Sequence, residues 1–113
     1  MGLIYKFLEN SNKQIDTLKM ATDIIIHDKK DNVGVVVIEK ITSKQECSCW
    51  IMEDDSSVDI QSIDEIPLGH KIAMVDLNEG DTILKYGHDI GKVVKSIKKG
   101  EHVHVHNVKT KKW

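Results

Sequence analysis

The chain has 113 residues, of which 40% are apolar, 30% charged and 4% aromatic, enough for one modest core and too short for two. Its formal net charge of -2 excludes the basic field with which nucleic-acid and anionic-membrane binders meet phosphates. No apolar run approaches the ~20 residues of a membrane span, and the N-terminus lacks the basic-then-apolar order of an export signal, so the expected location is the cytoplasm.

In chain order, Leu3, Ile4, Phe7 and Leu8 are spaced for one face of a short helix, and residues 10–14 form a polar break, so residues 1–19 read as a loosely attached extension. From Ala21 the pattern changes. Two β-branched runs, Asp23 to His27 and Val33 to Ile38, flank the turn-forming residues Asp28 to Asn32 and predict a strand pair. Further short runs follow at Ser48 to Met52, His70 to Val75, Thr82 to Lys85, Ile90 to Val94 and His102 to Val108. The acidic, serine-containing stretch Glu53 to Glu65 reads as an irregular connection or a short helical turn, and Pro67 marks a sharp entry into the second half. With aromatics scarce, branched aliphatics must form the core. The expected fold class is therefore all-β, with no helix of any length.

A weak internal echo runs through this pattern. Residues 77–83 (LNEGDTI) and 97–103 (IKKGEHV) both read as apolar, two polar, glycine, acid, any, apolar. A third, degraded copy at 41–47 (ITSKQEC) carries Lys44 in the glycine slot, which predicts a turn of different shape or one under strain. Cys47 and Cys49, two apart with no second pair, fit neither a structural zinc site nor a disulfide framework and read as reduced thiols.

Six histidines are many for this length, and four lie between Gly87 and Asn107. In an extended strand His102, His104 and His106 would share one face, with Val103 and Val105 on the other. At about 3.3 Å per residue, neighbouring histidines would have Cα atoms about 6.6 Å apart and could converge on one metal, while the outer pair at about 13 Å could not. Asn107 has the parity of the valines and would need a bend to reach the histidine face. The plainer reading is a solvated strand face. Lys71 and Lys85 suit a carboxylate as compact three-donor charges, although most lysines are simply solvated. His88 reads as a surface turn residue, and Tyr86-Gly87 as a turn whose ring covers the core.

The ordered motifs Ile66-Pro67-Leu68-Gly69-His70-Lys71, Lys85-Tyr86-Gly87 with Ile90-Gly91, and Gly100-Glu101-His102-Val103-His104-Val105-His106-Asn107 closely resemble the N-terminal domain of the altronate/galactarate dehydratase family. Asp31-Asn32-Val33 matches that family's first turn. The resemblance implies a β-clip fold of the SAF type, similar to type III antifreeze proteins, over residues 20–108, with residues 109–113 as a basic tail. It implies a small accessory subunit of a hydro-lyase, inactive alone and paired with a large catalytic subunit that supplies the base and most metal ligands. Assembly of like chains is left open.

The reaction implied is β-elimination of water from a hexonate or hexarate, with iron or manganese binding the α-hydroxycarboxylate. On this reading no catalytic group is complete in the chain alone. His70, Lys71, Lys85, His104, His106 and Asn107 would meet the substrate or the companion subunit, with His104 and His106 as candidate metal ligands. Two alternatives stand beside it: the small subunit of a sulfolactate sulfo-lyase, and a β-clip module that binds sugars or partners without chemistry.

Overall fold

The computed structural model describes residues 22–110. The expected extension at 1–19 and the end of the basic tail lie outside the described residues. Eleven short strands and no helix make up the described chain, so the all-β β-clip expectation holds.

β1 (Ile24–Ile26) and β2 (Val33–Val36) form the predicted pair, antiparallel with Ile24 opposite Val36. Branched side chains drive it, since Ile24, Ile26, Val33 and Val36 are all buried. β1 also runs parallel to β4 (Glu46–Ile51), and β2 pairs with β7 (Lys71–Ala73), which pairs in turn with β10 (His102–Val103). The result is a six-stranded sheet in the order β10-β7-β2-β1-β4-β5. β8 (Thr82–Lys85), β9 (His88–Val93) and β11 (Val108–Thr110) form a second sheet in the order β11-β9-β8, and β3 (Lys40–Ile41) pairs with β6 (Ile66–Pro67).

Three expectations are corrected. Glu53 to Glu65 is not a connection, because it contains β5 (Ser56–Gln61), paired with β4 along its whole length. β5 lies at the edge of the sheet and buries only Ile60 of its six residues, so its composition follows solvent and not the core. Lys109, assigned to the tail, lies in β11 opposite Lys92. His102 to Val108 is not one strand: β10 ends at Val103, the chain turns through 104–107, and β11 begins at Val108. Val103 and Val108 are buried, whereas Val105 is 65% exposed at the tip of that turn.

The internal echo is structural. In each copy a backbone N–H at the turn entry donates to the side chain three residues on: Thr42 to Gln45 Oε1, Asn78 to Asp81 Oδ2, and Lys98 to Glu101 Oε1. The glycine slot is left-handed in all three, with φ of 94° at Gly80, 93° at Gly100 and 64° at Lys44. Lys44 therefore adopts the conformation that its glycine counterparts reach without steric cost. Leu77 and Ile97 bridge the copies at 77–83 and 97–103.

The core has two clusters. Ile24, Ile26, Val36, Ile41, Ile60, Ile66 and Ile72 gather around Cys47 and Cys49 in one, and Val33, Ala73, Leu77, Ile83, Val93, Ile97, Val103 and Val108 form the other. Both cysteines are free and buried. Burial, before neighbouring charge, raises Cys47 to about 11 and Cys49 to about 12, so both stay protonated, as the sequence predicts for plain thiols.

Candidate functional site

The histidines meet at the edge of the six-stranded sheet. β10 pairs with β7 so that Val103 faces Lys71, and one further step of that antiparallel register sets His104 across from His70. The rings of His70 and His104 stack with centroids 4.4 Å apart, and His70 Nδ1 lies 2.9 Å from His102 Nε2, one of the two nitrogens carrying the shared proton. One nitrogen from each of His70, His102 and His104 lies within 4.8 Å of the others, a spacing from which three imidazoles can close on one ion. His106, exposed, lies tilted over His102 with ring centroids 5.2 Å apart. The turn at 104–107 thus gathers rings that an extended segment would have held out of reach.

Asn107 builds that turn. It is buried, its Oδ1 accepts the His104 N–H at 3.0 Å, and its Nδ2 donates to the His102 carbonyl at 2.8 Å. The bend needed to bring Asn107 to the histidines is therefore present. Its amide oxygen and nitrogen each bond a backbone group, which gives it a positioning role in the turn. Asp64 accepts the His102 N–H at 2.9 Å and anchors the other end.

The electrostatics favour neutral imidazole. Burial is the main cause lowering the pKa of His102, followed by the rings of His70, His106 and His104, with Asp64 opposing. His104 is lowered by the same desolvation and then by His70, Lys71 and His106. Neutral rings are the form that binds a metal.

Lys71 and Lys85 extend the cluster into a positively charged stripe. Burial and then the charge of Lys85 lower the pKa of Lys71, and an anion beside the pair would offset that repulsion. Next along the stripe, Lys85 Nζ lies 5.2 Å from the centroid of the Tyr86 ring, which stacks on His27 at 3.8 Å. Tyr86 is 55% exposed and does not cover the core as expected. Its turn is held from below by buried Asp31, whose carboxylate accepts the N–H groups of Tyr86 at 2.9 Å and Gly87 at 2.8 Å. Asn32 grips the same hairpin, accepting the Leu84 N–H and donating to the Thr82 carbonyl. His88 is exposed at the start of β9, across the hairpin from Lys85.

His102 and His27 join the site beyond the residues predicted for it. His102 has the parity of His104, and that signal would have included it. His27 is separated from Tyr86 by 59 positions, and only the fold brings the two together.

Residues 22–111 match the family model of the altronate/galactarate dehydratase SAF domain. The chain belongs to this family. Among curated relatives, this SAF domain is 51% identical over 94 residues to the (2R)-sulfolactate sulfo-lyase subunit alpha of Chromohalobacter salexigens, covering 83% of the chain and 100% of that subunit. It is 46% identical over 65 residues to the corresponding subunit of Paracoccus pantotrophus, covering 58% of the chain and 97% of the subunit. It is 40% identical over 91 residues to the altronate dehydratase of Bacillus subtilis, covering 80% of the chain but 17% of that much longer protein. These relatives are lyases, and the two that match along nearly their whole length are named as subunits.

Proposed function

We propose that this SAF domain is the small subunit of a sulfolactate sulfo-lyase and works by presenting an anion-binding, imidazole-rich edge to a large catalytic subunit. The observation that carries this reading is the 51% identity over the full length of a sulfo-lyase α subunit. The sugar-acid dehydratase reading, first in the sequence analysis, becomes second: its relatives share 40% identity, and the chain spans only 17% and 15% of them.

The chemistry suits the stripe. Sulfolactate carries a carboxylate, an α-hydroxyl and a sulfonate on the β-carbon. A base takes the α-proton, the electron pair forms the C2–C3 double bond, and the C–S bond breaks with its electrons leaving as sulfite. The enol left behind tautomerises to pyruvate. When bound in the assembled enzyme, a divalent metal would supply Lewis-acid stabilisation of developing negative charge, with His104 and His106 as the candidate ligands from this chain. Lys71 and Lys85 bring positive charge to a substrate with two anionic ends, and His104 and His106 line the approach. The Asp64 carboxylate beside the imidazole cluster is engaged by the His102 N–H, and the base is assigned to the large subunit.

Co-expression with a family-type large subunit tests the proposal. Sulfite release from (2R)-sulfolactate by the assembled pair, and by neither chain alone, is the expected result. Formation of a 2-keto-3-deoxy acid from altronate or galactarate, with no sulfite release, would move the assignment to the dehydratases. Full activity of the large subunit by itself would leave the chain as a binding module.

A further inference from the structure

We infer that His70, His102 and His104 form a metal site belonging to this chain alone, which takes a borderline divalent transition metal such as zinc or iron(II). Three facts of geometry carry the inference. The three ring nitrogens already lie within 4.8 Å of one another. Tetrahedral ligation at about 2.0–2.1 Å per bond needs nitrogens roughly 3.4 Å apart, which rotations about the side-chain bonds supply. The His70–His102 pair, at 2.9 Å, has to open by only about half an ångström, and the ion takes the place of the shared proton while the donor ring carries its N–H on the other nitrogen.

The ligands also stand on fixed backbone. His70 follows a turn closed by its own N–H to the Pro67 carbonyl, His102 is paired in β10 and its N–H is held by Asp64, and the His104 N–H is held by Asn107. Three such anchors limit the entropy lost when the rings converge.

Imidazole nitrogen selects borderline ions over magnesium or calcium, which prefer oxygen. Three protein ligands leave a fourth position open, as in catalytic and not structural zinc sites. That position lies at an exposed sheet edge beside His106, where a carboxylate, a water or a side chain of another protein can complete the shell. The inference concerns the isolated chain and does not depend on which elimination the assembled enzyme performs.

The test uses the purified full chain, freed of metal with a chelator and titrated with zinc in the calorimeter. The expected result is one equivalent bound, no comparable heat with magnesium, and a melting temperature that rises with zinc concentration because only the folded state binds. His104→Gln and His70→Gln are each expected to lose more than about tenfold in affinity, the scale reached by removing even an outer-shell partner. His88→Gln, exposed and outside the cluster, is expected to bind as the wild type does. Should a variant fail to fold, the wild type still decides: on adding zinc, the side-chain nitrogen resonances of His70, His102 and His104 should shift together. Absence of binding, equal weakening in His88→Gln, or shifts confined to other histidines would overturn the site.

Discussion

Lys85 sits between two groups of the stripe and influences both. It lowers the pKa of Lys71 and, after desolvation, that of His27, with Asp31 opposing and the Tyr86 ring stacked alongside. Replacing Lys85 with Met is therefore expected to raise the pKa of His27 toward its ordinary 6.5, which the pH dependence of its ring proton shifts would measure. The sign for stability follows from linkage. The folded value lies below the unfolded one, so the unfolded chain takes up the proton first as pH drops. His27 contributes its stability above about 6.5 and loses it as pH falls through the lower folded value, and urea midpoints should decrease across that window. Lys71→Met and Lys85→Met should each raise the KM of the assembled enzyme about tenfold, the equivalent of one charge-assisted contact worth roughly 1.5 kcal/mol. Unchanged KM in both would return the lysines to simple solvation.

The repeated turn and the histidine turn show how elements of similar sequence diverge. Lys44 holds the left-handed conformation at an exposed position, so Lys44→Gly is expected to stabilise the fold by up to about 1 kcal/mol, seen as a higher melting temperature. Its counterpart Gly100 behaves oppositely. A Cβ there would lie 2.5 Å from the Gln61 carbonyl oxygen, and Gly100→Ala should cost more than the ~1–2 kcal/mol of the left-handed conformation alone. In the turn at 104–107, Asn107→Ala removes two hydrogen bonds from a buried position and should destabilise by about 1–3 kcal/mol, measured by urea unfolding.

Much of this was legible in the sequence. Runs of isoleucine and valine marked β1 and β2 because those strands face the core. β5 was hidden, since its apolar alternation is limited to Val58 and Ile60 among serines, an aspartate and a glutamine. The histidine turn was hidden for a different reason. Alternating His and Val imitates a strand of period two, and only Asn107, a residue that bonds readily to nearby backbone, signalled the break. The grouping of His70 with His102 depends on the β7–β10 register, which no local pattern contains.

At the scale of the molecule, the site stands where the two cores share a strand. β7 is three residues long, and successive side chains point to opposite faces, so Ile72 enters one cluster and Ala73 the other. Lys71 precedes them in β7, and His70 lies immediately before the strand. Occupation of the edge by an ion or a companion protein should slow amide hydrogen exchange at Val36 and Ile60 in the first cluster as well as at Val93 and Ile97 in the second, although none of these touches the ligand. So brief a strand resembles a rivet through two plates, and a load on its head is expected to reach both.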